Sequence, residues 1–118
     1  MRFLATAQGI YYMVAGVWPV VHIDSFQAVT GDKTDLWLVK TVGLLIAVIG
    51  AAVFAARRRP MVSPEIFLLA AGSAAVLGAV DVLYALRGVI SKLYLLDAVP
   101  EAVLVVGWSM VWRRRATL

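Results

Sequence analysis

Cysteine is absent from the chain, and its absence excludes several kinds of site. Disulfides, iron–sulfur clusters, thiol nucleophiles and thiolate zinc sites all require that residue. The only histidine, His22, is not enough for a haem site. With Asp24, Asp32 and Asp35 it could offer imidazole and oxygen ligands to a metal ion. A single histidine in such a connection is more often solvated or a partner of a helix end. Serine catalysis lacks its G-x-S-x-G signature. We therefore expect no metal, no cofactor and no enzymatic activity.

Charge is also scarce. Charged residues make up 15% of the 118 positions, whereas 63% are hydrophobic, and the mean hydropathy is +0.90. Soluble domains are about half apolar and about one quarter charged. The composition therefore predicts an integral membrane protein, and the length allows a single domain over residues 1–118.

Four apolar runs fill most of the chain, at residues 3–23, 36–56, 65–86 and 93–112. Each run has about 20 residues, which is the length that an α-helix needs to cross the hydrocarbon core of a bilayer. We predict an all-α fold, an integral membrane four-helix bundle.

Small and polar residues recur at helical spacing within these runs, so they lie on one side of each helix. Small residues at this spacing let helix backbones approach closely in lipid. We expect the following sides to face the bundle interior: Gln8, Tyr12, Ala15, Pro19 and His22 in the first run; Lys40, Gly43, Ala47, Gly50 and Ala51 in the second; Ala71, Ala74, Gly78 and Asp81 in the third.

Aromatic residues near the ends of the runs predict two belts at the membrane interfaces. One belt contains Trp18, Trp37, Tyr84 and Tyr94, and the other contains Trp108 and Trp112.

Six of the eleven basic residues form two arginine triplets, at residues 57–59 and 113–115, and each triplet directly follows an apolar run. Cytoplasmic flanks of membrane helices carry such an excess of bases, so we expect both termini to be cytoplasmic. The triplets lack the interleaved aromatic residues of a nucleic-acid-binding face, and we expect no nucleic-acid partner. Attraction to anionic lipid headgroups is compatible with their position.

A shift of 57 residues aligns the two halves of the chain weakly, pairing Gly50 with Gly107 and Lys40 with Asp97. Duplication of a helix hairpin would produce two parallel repeats about an axis along the membrane normal. Apolar runs also align by chance, so both explanations stay open.

Ionisable residues in the apolar runs predict a layer in the outer half of the bilayer. Helical rise places Lys40, Asp81 and Asp97 about 24 Å above the arginine-rich boundary and Glu101 about 18 Å above it. The layer is completed by Arg87 at its rim and His22 nearby. Because three acids outnumber Lys40, one carboxyl should be protonated or paired with a hydroxyl or an amide, and Glu101 is the deepest candidate.

Three interpretations of this layer stay open. The charges hold the helices in register, as buried ion pairs do in some proteins. Alternatively, they line a binding or proton-handling pocket, because ionisable groups inside a membrane are candidates for functional sites. Finally, the layer takes part in assembly with a larger partner.

The layout resembles that of small four-helix DoxX-like membrane proteins: a first helix that ends near a proline, a second helix that carries glycines, a short basic loop and a helix hairpin. Residues 25–40 (SFQAVTGDKTDLWLVK) also resemble a segment of bacterial membrane proteins of this size. The resemblance implies the fold, a bacterial inner membrane, and the behaviour of a small subunit associated with oxidoreductase complexes.

We therefore expect a small non-enzymatic inner-membrane protein that is an accessory or scaffold subunit, in contact with lipid and with a membrane-protein partner or further copies of itself. The competing expectation is a protein that binds a small ligand or a lipid, with or without proton-coupled transport. Its charged pocket would lie in the outer half of the bilayer.

Overall fold

A computed structural model describes the backbone of residues 1–117 and the side chains of residues 1–114. It contains five α-helices, which we number in chain order: α1 (Arg2–Val21), α2 (Ile23–Thr30), α3 (Leu36–Ala55), α4 (Pro64–Leu86) and α5 (Tyr94–Thr117). A short 3-10 turn, Ala56–Arg58, follows α3. The side chain of Arg115, the last arginine of the second triplet, lies outside the described residues, as does Leu118.

The predicted fold class is confirmed. Four of the helical segments are long and apolar enough to cross a membrane, at Arg2–Val21, Leu36–Arg58, Pro64–Leu86 and Tyr94–Arg114. They have 20, 23, 23 and 21 residues, which matches the thickness of the hydrocarbon core. The chain is a multi-pass membrane protein with an all-α four-helix bundle.

The short helix α2 lies in the connection between the first two spans. The helical path breaks at His22, whose backbone leaves the helical region at φ −146°. The Nδ1 atom of His22 then accepts a hydrogen bond from the backbone N–H of Ser25 at 3.1 Å, which caps α2. Gly31 ends α2 with φ +99°, a conformation that residues with a Cβ rarely adopt.

Helices α1 and α3 pack backbone against backbone along two pairs of glycines. A Cβ atom at Gly16 would overlap the carbonyl oxygen of Gly43, and a Cβ atom at Gly50 would lie 2.8 Å from the carbonyl oxygen of Gly9. The two glycines in each helix are two turns apart, so they form one stripe on each surface. Close approach of this kind stabilises helix pairs in lipid, where the hydrophobic effect between helices is weak.

Helices α4 and α5 form the second pair. Ser63 begins α4 by accepting a hydrogen bond from the backbone N–H of Ile66 at 3.2 Å, and Pro64 occupies the first helical position. The predicted interior side of α4 is buried as expected at Ala71, Ala74 and Asp81.

The two hairpins, α1–α3 and α4–α5, meet through long side chains, whereas within each hairpin the helix backbones lie closer. Tyr12 of α1 and Trp108 of α5 are the largest fully buried residues and fill the space between the hairpins. Each half of the chain thus forms its own hairpin, as a duplication would require. The duplication of a helix hairpin stays a prediction.

We expect Gly16→Ala to lower the free energy of unfolding in detergent micelles by about 1 to 3 kcal/mol, because the added methyl group forces α1 and α3 apart. Gly72→Ala is the matched control, since its Cβ would make only an ordinary contact of 3.7 Å with Leu68. Equal stability of the two variants would contradict backbone contact between α1 and α3.

Candidate functional site

The most polar part of the core lies between the two hairpins. Four polar or amphipathic side chains there are almost completely buried: Gln8 and Trp108 at 0% exposure, Glu101 at 1% and Tyr12 at 2%. Together with Tyr11, Asp81 and Asp97 they form what we call the polar cluster. Polar groups at such positions cost free energy unless each finds a hydrogen-bond partner.

Gln8 joins three helices. Its Nε2 atom donates a hydrogen bond to the backbone carbonyl of Ala70 in α4 at 2.9 Å. Its Oε1 atom accepts a hydrogen bond from the indole Nε1–H of Trp108 in α5 at 2.6 Å. Both ends of the amide are therefore engaged, and α1 is tied to α4 and α5 at the same level of the bundle.

Two tyrosines of α1 bind two acids of α5. The hydroxyl of Tyr12 lies 2.7 Å from Oε1 and 3.1 Å from Oε2 of Glu101, to which it donates. The hydroxyl of Tyr11 donates to Oδ1 of Asp97. Asp97 and Glu101 are one helical turn apart and project from the same side of α5. The neighbouring tyrosine rings contact each other edge to face, with centroids 5.9 Å apart, so both hydroxyls reach that side.

Asp81 carries a buried oxygen atom that lacks a hydrogen-bond partner within residues 1–114. The residue is 5% exposed, and its Oδ2 atom has no hydrogen-bond partner among the residues that the structure describes. Gly78, one turn earlier on α4, directly faces Glu101, since a Cβ there would lie 3.2 Å from the Cβ of Glu101. Asp81 therefore lies on the side of α4 that faces α5, one turn beyond the point where α4 meets Glu101.

The structure brings the three predicted acids, Asp81, Asp97 and Glu101, to one place and leaves the three predicted bases outside it. Lys40 is half-buried on α3, and Arg87 is exposed at the end of α4. None of the bases forms an ion pair with an acid of the polar cluster among the side chains of residues 1–114.

The predicted bases lie away from the acids because of the way in which the helices pack. Because α3 packs mainly along α1, the side of α3 that carries Gly43 and Lys40 meets the first helix. The side chain of His22 is used as the cap of α2, where its Nδ1 atom accepts a hydrogen bond from the backbone N–H of Ser25. Hydroxyl groups of Tyr11 and Tyr12 take the place beside the acids that a lysine was expected to fill.

Helical periodicity in the sequence predicted only part of the polar cluster. The stripe of Gln8 and Tyr12 predicted an inward side of α1, but not their partners. Trp108 was expected in an interfacial aromatic belt, and this prediction was wrong: the side chain is completely buried and hydrogen bonded to Gln8. Trp108 follows Asp97, Glu101 and Leu104 at helical spacing, and this stripe is the sign in the sequence of an inward side of α5.

Metal binding finds no support in the arrangement of the acids. No group of three or more His, Asp or Glu side chains within the described part of the chain is placed to hold a metal ion. The two acids of α5 instead accept hydrogen bonds from tyrosine, and Asp81 lies on the side of α4 that faces Glu101.

Comparisons of the chain with protein-family models, with curated proteins and with solved structures find no match. The fold defines the class, a multi-pass four-helix membrane protein.

We expect Asp81→Leu to leave the free energy of unfolding unchanged or to raise it by up to about 2 kcal/mol, because it removes a buried polar atom without a partner. The same substitution at Asp97 should lower the free energy of unfolding by about 1 kcal/mol, because it removes the acceptor of Tyr11. Chemical unfolding of both variants in the same detergent gives the comparison. A loss for Asp81→Leu as large as for Asp97→Leu would show that Asp81 stabilises the bundle.

Proposed function

We propose that this chain is a small non-enzymatic membrane protein of the bacterial inner membrane, and that it acts as an accessory or scaffold subunit of a membrane complex. The observation that carries the proposal is the direct pairing of buried polar groups: Gln8 with Trp108, and Tyr12 with Glu101. Buried polar side chains that bind one another fix the arrangement of helices.

The outer surface supports the same proposal. Large apolar side chains are exposed on each of the four long helices, for example Val14, Val48, Leu68 and Val103. Such a surface suits lipid and also the packing of another membrane helix, for which van der Waals contact supplies the main attraction. A bundle whose polar groups are turned inward offers its partners mainly this apolar exterior.

Both arginine triplets support an orientation with cytoplasmic termini. The first triplet, at residues 57–59, follows α3, and Arg113 and Arg114 lie near the end of α5. Both sets therefore lie at the same end of the bundle, which we call the arginine-rich end. Basic residues concentrated at one end set the orientation of membrane proteins. The resemblance to DoxX-like proteins adds the expectation of an accessory subunit in a membrane complex.

Photo-crosslinking in the native membrane tests the proposed partner. A photoreactive amino acid is placed in turn at Val14, Val48, Leu68 and Val103, one on each long helix, and at the buried Val53 as the control. We expect a protein adduct of one defined mass from one or two of the four exposed positions and none from Val53, because a partner helix covers only part of the surface.

Crosslinks to lipid alone from all four exposed positions, together with purification as a monomer without a companion, would contradict the accessory role. Adducts of twice the mass of the chain would identify further copies of this protein as the partner.

A second candidate function is favoured by Asp81. We also propose a site for a small ligand or a lipid, with or without proton coupling, because a buried carboxyl oxygen without a hydrogen-bond partner has no evident structural use. The Asp81→Leu variant separates the candidates. Mass spectrometry of a compound extracted from the wild type but not from the variant would support this site, and identical extracts would remove it.

A further inference from the structure

A cavity of about 330 Å³ lies at the arginine-rich end of the bundle, away from the polar cluster. It is enclosed by the end of α3, the connection to α4 and the first turn of α4. Its lining includes Ala55, Ala56, Arg59 and Val62, and from the start of α4 Glu65 and Ile66. Binding sites for small groups begin at about this volume.

The lining has an apolar part and a charged part. Alanine, valine and isoleucine side chains form the apolar part, and Arg59 and Glu65 supply one positive and one negative group. Both charged residues are exposed, and within residues 1–114 they form no ion pair with each other. Ser63 is already engaged as the cap of α4, so Arg59 and Glu65 are the charged side chains available to a ligand.

The position of the cavity relative to the membrane identifies the kind of ligand. The second apolar span ends in the turn Ala56–Arg58, and α4 begins at Pro64, so the connection between them lies at the membrane boundary. Phospholipid headgroups occupy this level. Exposed apolar residues of α3 and α4, including Val48 and Leu68, continue from the cavity toward the hydrocarbon core.

We propose that the cavity binds the headgroup of a phospholipid that carries a primary ammonium group, such as phosphatidylethanolamine. The guanidinium group of Arg59 binds the phosphate, for which its planar set of donors is suited. The carboxylate of Glu65 accepts hydrogen bonds from the ammonium group. The acyl chains lie along the exposed apolar sides of α3 and α4.

The pair of opposite charges distinguishes this lipid from the other common ones. An anionic headgroup would meet the like charge of Glu65. A choline headgroup carries a positive charge but no N–H donor, so it forms no hydrogen bond with that carboxylate. The need to orient the protein in the membrane explains the arginine triplet at residues 57–59. It does not explain the cavity or the presence of Glu65 in its lining.

Native mass spectrometry of the full chain, titrated in detergent with phosphatidylethanolamine, phosphatidylcholine or phosphatidylglycerol, tests the site. We expect the wild type to bind phosphatidylethanolamine with a Kd about tenfold lower than that for the other two lipids. Arg59→Gln should raise that Kd about tenfold, because the phosphate loses a charged donor. Glu65→Gln should abolish the preference for phosphatidylethanolamine over phosphatidylcholine.

Arg58→Gln is the matched control, because Arg58 is exposed in the same triplet but does not line the cavity. It should leave all three Kd values unchanged, and circular dichroism checks that each variant keeps its helices. Equal Kd values for the three lipids, or equal effects of Arg58→Gln and Arg59→Gln, would overturn the proposal. Displacement of the lipid by an equal concentration of glycerophosphoethanolamine would overturn it too, because the ligand would then be a soluble headgroup.

Discussion

Burial of an amide and a carboxyl group in an apolar bundle costs free energy unless each is hydrogen bonded, and the arrangement of the two hairpins follows from this requirement. Tyr12 and Gln8 lie on the same side of α1, one turn apart, and their polar atoms reach only as far as α4 and α5. The contact between Tyr12 and Glu101 therefore sets where α1 lies against α5, and the contact between Gln8 and Trp108 sets its register.

Two kinds of packing act on neighbouring sides of α1. Toward α3, glycines allow backbone contact, which depends on the absence of side chains. Toward the second hairpin, large amphipathic side chains fill a wider gap and bring their own hydrogen-bonding groups. In lipid, the glycine contacts give close packing of α1 with α3. The hydrogen-bonded side chains select one arrangement of the two hairpins, because other arrangements would leave polar groups unpaired inside the membrane. Asp81, which lacks a full set of partners, is the exception, and exceptions of this kind are common at functional positions.

Helical periodicity and span length were enough to predict the fold, and they also predicted the inward sides of α1 and α4. Periodicity gives the side on which a residue lies, and helical rise gives its depth, but neither says which helices are neighbours. Lys40 lies on the predicted side and yet meets no acid, because α3 packs along α1. Trp108 was assigned to the interface from its place near the end of a span, although its indole N–H has a buried acceptor.

The hydrogen bond between Tyr12 and Glu101 joins the two hairpins inside the core, and a double-mutant cycle measures its strength directly. Free energies of unfolding are compared for the wild type, Tyr12→Phe, Glu101→Met and the double variant, with Tyr84→Phe and Glu65→Met as a control cycle on exposed residues. We predict a coupling of about 0.5 to 2 kcal/mol for the first pair and none for the control pair. Equal coupling in the two cycles would contradict the claim that buried polar pairs join the hairpins.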